Sequence, residues 1–199
     1  MRIEVDGLVL EVPPQVYVPA EDSFLLVKHS AGLRGQVLDI GCGCGIQALV
    51  NAKRNPGNGV LGVDLNRRAV ECSRYNAAKN GIKNASFAVS DLFENVPEKK
   101  FDAVIFNPPY LPTAKGEHVR GPLDSAFDGG EDGRRVIDRF LPEFEKHLAC
   151  DGRLLMLQSS LNDIGKTVSG LEKRGLSVSI MEEQKLFFEK ICVVEARRK

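Results

Sequence analysis

Four consecutive residues, Asn107-Pro108-Pro109-Tyr110, carry the most chemical information in this 199-residue chain. Two prolines in a row fix φ and remove backbone donors, which leaves the Asn107 side-chain oxygen and the Pro108 carbonyl as acceptors facing one pocket. Such a pocket asks for two N–H donors, as on an –NH2 group conjugated to a carbonyl or an aromatic ring. That nitrogen is a poor nucleophile because its lone pair is delocalised, and two acceptors on its hydrogens raise its electron density. Tyr110 is placed to stack on the planar group. The competing reading is a proline-rich turn without chemistry. The apolar run before the tetrad and the long loop after it favour the chemical one.

A second constellation precedes it. Gly41-Cys42-Gly43-Cys44-Gly45 follows an apolar strand and opens a helix, where missing side chains let a ligand approach backbone N–H groups. Alone this is a weak signal, equally met by a tight turn without ligand. Asp64 ends the next strand, where an acid accepts hydrogen bonds from ribose hydroxyls in nucleotide-binding sheets. NAD and S-adenosylmethionine would both use it. Asp39, ahead of the first glycine, separates them: it repels a pyrophosphate and suits the cationic amino group of a methionine tail. Asp91 and the backbone N–H of Leu92 end the third strand, in position to read an adenine edge. The ligand read from these residues is S-adenosylmethionine. The reaction is in-line displacement at its sulfonium methyl, driven by positioning and without a Ser, Cys or His nucleophile.

The elements that must hold these residues follow from periodicity. Strands are predicted at 37–40, 60–63, 85–89, 101–106 and 153–158, with helices at 46–54, 67–80, 134–148 and 163–174. A short helix opened by acids begins near Phe24. Alternating residues around Asp6-Gly7 predict an N-terminal β-ribbon, an appendage to the rest. The strand–helix alternation predicts a mostly parallel, doubly wound α/β sheet with its ligands at the strand C-termini. The tail breaks the pattern: 176–184 and 189–196 both read as strands with no helix between, which makes an antiparallel hairpin on one edge. A doubly wound sheet with that ending is similar to the seven-stranded Rossmann-like fold of class I methyltransferases. One domain over residues 1–199 is expected, with 1–16 as the ribbon and 111–132 as a substrate lid.

Bulk properties narrow the function. Lys and Arg number 27 and Asp and Glu 27, so no global field draws the chain to nucleic acid or anionic lipid. No signal peptide and no apolar run of membrane-spanning length is found, and the five scattered cysteines suit reduced thiols, so a soluble cytoplasmic protein is expected. Cys42 and Cys44 stand too close for a usual zinc pair, and no metal site is expected. His29, His118 and His147 lack triad or metal spacing and read as surface or lid residues.

Taken together, Asp39-Ile40-Gly41-Cys42-Gly43-Cys44-Gly45, Asp64, Asn107-Pro108-Pro109-Tyr110 and Asp128-Gly129-Gly130-Glu131-Asp132-Gly133 resemble the HemK (PrmC) family of N5-glutamine methyltransferases over roughly residues 17 to 195. The resemblance implies that the substrate is the glutamine of the Gly-Gly-Gln tip of a class I translation release factor, its amide held by Asn107 and the Pro108 carbonyl. Bacterial members carry an N-terminal helical docking domain, for which there is no room before the strand at 37–40. The segment Tyr17-Val18-Pro19-Ala20-Glu21-Asp22-Ser23 is similar to the archaeal and eukaryotic branch. That branch implies Glu21 and Ser23 at the cofactor and a small zinc-binding activator protein as heterodimer partner, covering the edge near 85–89 by strand addition.

Three alternatives stay open. Asn-Pro-Pro-Tyr also serves adenine-N6 methyltransferases acting on RNA or DNA, which need a basic track; Arg134, Arg135 and Arg139 on one predicted helix are either that patch or a solvated face. A protein lysine methyltransferase needs a base to deprotonate the ammonium, and none is evident. A non-catalytic binding module would have no use for the intact tetrad.

Overall fold

The computed structural model describes residues 1–113 and 123–198. Asp6 and Gly7 take left-handed φ values of 54° and 67°, the geometry of a two-residue hairpin turn. They join β1 (Arg2–Val5) to β2 (Leu8–Glu11) in antiparallel register. The ribbon is not an appendage. Leu8 and Leu10 are fully buried in the main core, and the amides of Val9 and Glu11 donate to the side chains of Asn80 and Asn76. An alternating strand must bury its apolar face somewhere, and here that face covers a helix of the main body.

Beyond it follow α1 (Glu21–Ser30), β3 (Gln36–Ile40), α2 (Ile46–Arg54), β4 (Gly59–Asp64), α3 (Arg67–Lys79), β5 (Ala85–Val89) and β6 (Phe101–Phe106). Then come α4 (Asp124–Phe127), α5 (Arg135–Phe140), β7 (Leu148–Ser159), α6 (Ile164–Lys173), β8 (Leu176–Lys185) and β9 (Lys190–Arg198). Among the described residues the strands form one seven-stranded sheet, ordered β5-β4-β3-β6-β7-β9-β8, beside the two-stranded ribbon. β5, β4, β3, β6 and β7 run parallel, and β9 is antiparallel to both its neighbours.

Successive residues of the central strands feed opposite faces, as the pleat requires. Val37, Ala103 and Ile105 pack with Leu26 of α1, Leu49 of α2 and Val70 of α3. Leu38, Ile40, Val104 and Phe106 pack with Phe140, Phe144 and Leu171 on the other side. The Phe106, Phe140 and Phe144 rings stack in series at 4.3 and 5.4 Å. Helices therefore cover both faces, as expected of parallel strands buried on each side.

One helix boundary is corrected. The helix predicted over 134–148 ends at Phe140: Leu141 still holds helical φ/ψ and donates to the Ile137 carbonyl, but Pro142 lacks the N–H that the next helical hydrogen bond needs. A short 3-10 turn, Phe144–Lys146, replaces its second half, and β7 starts at Leu148 instead of 153. The terminal hairpin does lie at one edge, but its second strand is the inner one. Ile191 to Ala196 are buried throughout, whereas β8 alternates and is largely exposed. A continuous apolar run needs cover on both faces, and the amphipathic strand is left at the edge.

Candidate active site

β6 and β3 are neighbours, with Phe106 paired to Ile40, so the residues that follow each strand emerge side by side. The Asn107 carbonyl stands 3.6 Å from where a Cβ on Gly41 would sit. Gly41, Gly43 and Gly45 have φ of 67°, 57° and 87°, the left-handed region that only glycine enters freely. The loop thereby turns from strand to helix while Cys42 and Cys44 are driven into the core. Burial pushes the Cys42 thiol well up and the Cys44 thiol up to about 12.

Three of the loop amides are spent within the protein. Cys42 N–H donates to the Val63 carbonyl, Gly45 N–H to the Cys42 carbonyl, and Gly43 N–H to Asp64 at 2.9 Å. Asp64 also accepts from Asn66 N–H at 2.8 Å; burial raises its carboxyl against these two bonds. A pyrophosphate cradle would need those amides turned outward.

Asp39 sits in the core and is not among the cavity walls. Its carboxylate accepts from Ala48 N–H at 3.2 Å. Gly45 is the N-cap of α2 and has no side chain with which to cap it, so Asp39 fills that role from the adjacent strand. Burial pushes its carboxyl up to about 8. A carboxyl raised in the native state binds more protons folded than unfolded between about pH 4 and 8, so native stability falls as pH rises through that window. Asp39→Asn keeps an acceptor for Ala48 and removes the titration. Its stability, level with the parent near pH 4, is expected to exceed the parent's progressively up to pH 8, by on the order of a few kcal/mol, with a correspondingly higher melting temperature. Parallel pH-dependent curves for the two proteins in thermal scans would contradict this.

The cavity at the strand C-termini measures about 350 Å³. Gly41, Gly43 and Asp64 line one part; Asp91 and Leu92 follow, and Asn107, Pro108, Pro109 and Tyr110 line another. The two constellations read from the sequence thus share one space. Leu92 holds a left-handed φ of 47°, strained for a branched side chain. Ser90 secures that loop, donating to the Leu92 carbonyl and accepting from Asn95 N–H. Asp91 shares an ion pair of 2.8 Å with Arg139.

Gly45 lies outside the cavity, against Ser73 and Leu49. Glu21 is exposed at the start of α1, and Ser23, though buried, turns its hydroxyl onto Asp22. The residue between them lines the cavity, because three successive helical positions point about 100° apart and only one faces a given direction. The sequence reading missed Asp22. Its signal was present: Asp22 shares a helix face with Leu25 and Leu26, at i+3 and i+4, and an acid on an apolar face must be paired. Its partners are the Tyr17 hydroxyl at 2.9 Å and the Asn107 amide Nδ2 at 3.0 Å. Asn107 Oδ1 is buried and, among the described residues, accepts no hydrogen bond.

Asp128-Gly129-Gly130 and Gly133 wrap the residues after the tetrad. Leu111 N–H donates to the Phe127 carbonyl, Gly129 N–H to the Leu111 carbonyl, and Thr113 N–H to the Gly130 carbonyl. A Cβ on Gly133 would collide with the Tyr110 carbonyl, and one on Gly129 with the Gly133 backbone. The glycines are required because two backbones touch there. Tyr110 is half-buried, and desolvation raises its phenol. Residues 114–122 of the predicted lid, His118 included, lie outside the described residues.

The three arginines do not form a basic track. Arg134 is buried and donates to Asp138, to the carbonyls of Asn162 and Asp163 and to the Thr167 hydroxyl. Arg135 pairs with Asp128 and Arg139 with Asp91. Two histidines also depart from a bland surface role. His29 lies 2.8 Å from Glu182. His147 stacks on Phe93 at 4.7 Å, where burial lowers its pKa. Among the described residues, five carboxylates (Asp22, Asp64, Asp91, Asp128, Glu189) and two guanidiniums (Arg135, Arg139) line the cavity, both guanidiniums being paired. Its excess charge is negative, which suits a cationic ligand and opposes phosphate.

Comparison with known proteins agrees with this chemistry. Residues 21–120 match the family model described as methyltransferase small domain. A Methanocaldococcus jannaschii candidate protein N5-glutamine methyltransferase is 43% identical over 199 residues, covering 100% of both chains. A Geobacter sulfurreducens release factor glutamine methyltransferase is 33% identical over 161 residues, 77% of this chain, which spans 56% of that enzyme. Among solved structures, a chain of the E. cuniculi Mtq2-Trm112 complex, responsible for methylating the termination factor eRF1, superposes with a TM-score of 0.73 at 27% identity, covering 93% of this chain and 99% of that one. The chain belongs to the methyltransferase small-domain family and, within it, to the HemK-type protein N5-glutamine methyltransferases.

Proposed function

We propose that this protein transfers the methyl group of S-adenosylmethionine to the side-chain amide nitrogen of the glutamine at the Gly-Gly-Gln tip of a translation release factor. The observation that carries the acceptor assignment is Asn107 Oδ1: a buried oxygen without a donor among the described residues, at the wall shared by the glycine loop and the tetrad. An acceptor held dry in this way is costly unless a ligand N–H completes it.

The residues present fit the cofactor. Among the described residues the cavity is negative, three of its loop amides are committed internally, and Asp64 stands where ribose hydroxyls would donate. Gly41 and Gly43 would allow close approach, with Asp91 and Leu92 beside an adenine. When bound, the cofactor supplies an electrophilic methyl on a sulfonium. Asn107 Oδ1 and the Pro108 carbonyl take the two amide hydrogens of the acceptor and hold its nitrogen in line, the rate gain coming from orientation and electrostatics. Tyr110 bounds the planar amide. Asp39, capping α2, contributes by fixing the loop.

A small partner protein, zinc-binding in the manner of the branch resembled, is proposed to add a strand to the outer edge of β5, where Val89 is exposed. Among the described residues no helix is long and apolar enough to cross a membrane. A cytoplasmic location is proposed from the substrate.

The test is methyl transfer from labelled cofactor to a release factor, against its Gln-to-Ala tip variant and against RNA, with and without a co-expressed zinc-binding partner. Label is expected on the glutamine protein alone, and more of it with the partner. Equal labelling of the two proteins sinks the glutamine assignment, and labelled RNA replaces it with adenine.

A further inference from the structure

Resting on the amide acceptor just proposed, we propose that Asp22 is the positioning residue that fixes which end of the Asn107 carboxamide faces the substrate. An asparagine side chain has nearly the same shape in either flip, one end accepting hydrogen bonds and the other donating them. Nothing in the Asn-Pro-Pro-Tyr tetrad itself decides between the two. The decision comes from α1, where Asp22 Oδ2 lies 3.0 Å from Asn107 Nδ2.

An ionised carboxylate offers no donor, so only the amide end of Asn107 can face it, and Oδ1 is turned the other way. That is the oxygen left buried without a partner. Asp22 is itself immobilised: its Oδ1 accepts from the Tyr17 and Ser23 hydroxyls at 2.9 and 3.1 Å. Tyr17 is in turn held edge-on against Phe127 at 5.3 Å, on the segment that clamps Tyr110. The α1 helix is tied to α2 by Gln47 Nε2 donating to the Ser23 carbonyl at 2.9 Å. Asp22 therefore has little freedom to follow a flipped Asn107. A charged acceptor at one end of an amide also polarises it, strengthening the oxygen at the other end. Asp22 thereby makes the cavity accepting where the substrate nitrogen must donate.

The pair can be tested by exchanging its two groups. In Asn107→Asp alone, two carboxylates about 3 Å apart share one proton. When the introduced carboxyl holds that proton, it can donate to Asp22 and keep an oxygen toward the substrate. Transfer is therefore expected to survive at low pH and fall at least about tenfold as the proton is lost. Adding Asp22→Asn to that variant restores a donor–carboxylate pair. The doubly exchanged protein is expected to recover about tenfold or more over Asn107→Asp at pH 8 and to lose the pH dependence. A second measurement needs no substrate. In 15N-labelled protein, one Asn107 Nδ2 proton should exchange with solvent at least about tenfold more slowly than in Asp22→Ala, with melting temperatures verifying that each variant is folded.

Faster transfer by the exchanged pair together with the protected proton supports the assignment. An exchanged protein no better than Asn107→Asp at pH 8, or an unprotected Asn107 amide in the parent, overturns it. Failure of the parent to label glutamine would instead refute the acceptor assignment, and the proton measurement would still decide the role of Asp22.

Discussion

Asn107→Ala is expected to lower kcat for methyl transfer by roughly 10²- to 10³-fold, while the Kd for S-adenosylmethionine changes by less than about threefold. The asymmetry follows from where the side chain ends. Its Nδ2 is committed to Asp22 and its Oδ1 is buried without a protein partner, so truncation removes a group that the acceptor nitrogen alone would complete. Asp64, Gly41 and Gly43, proposed to hold the cofactor, rest on β4 and on the turn into α2 and do not lean on the asparagine side chain. Titration calorimetry with the cofactor, beside single-turnover transfer to the release factor, separates the two effects. A loss of cofactor affinity as large as the loss of rate would move Asn107 from the acceptor to the cofactor.

Arg134→Met is expected to destabilise the fold by about 2–4 kcal/mol, a drop of roughly 10 °C in Tm for a chain of this size. The guanidinium is almost wholly buried. It satisfies the carbonyls of Asn162 and Asp163 and the Thr167 hydroxyl, joining the start of α5 to the start of α6. Methionine fills much of the volume but takes the donor from the Asn162 carbonyl and the Thr167 hydroxyl and leaves the Asp163 carbonyl only the Thr167 N–H, and unmet buried acceptors are what makes the change expensive. Asp138, about half exposed, is resolvated and adds little. Arg139→Gln is the control: its pair with Asp91 is open to solvent, and a change within about 1 kcal/mol is expected. Urea unfolding should show a lower midpoint for Arg134→Met at an unchanged slope. Activity is expected to fall with it, since Gly133, next in the chain, packs on the Tyr110 carbonyl. Equal stability of the Arg134 and Arg139 variants would mean that the buried network contributes little.

Much of the architecture was legible because it is written in short-range patterns. An apolar strand, three alternating glycines and a helix must produce a tight turn wherever they occur, since only glycine supplies three left-handed residues so closely spaced. Asn107 to Tyr110 follow an apolar strand directly, and parallel alternation brings its end beside that turn. The inner position of β9 was legible too, in the unbroken apolar run at 191–194, although the hairpin alone did not order its strands.

What the sequence could not decide is the phase of each side chain. Glu21, Asp22 and Ser23 are neighbours of similar polarity, and the packing of α1 on α2 selects Asp22 for the cavity. Arg134, Arg135 and Arg139 read alike as a basic face, yet one is buried under the start of α6 and the other two are paired to acids outside their helix, Asp128 and Asp91. Asp39 lies beside the glycine loop in sequence but spends its carboxylate capping α2, because the N-cap position holds a glycine. In each case the deciding partner lies on another element, so hydrogen-bond satisfaction in the packed state settles the role. The sequence by itself determined the candidate reacting groups and the turn that gathers them; the tertiary structure decided which carboxylate meets the Asn107 amide, and so which of its two ends is proposed to face the substrate.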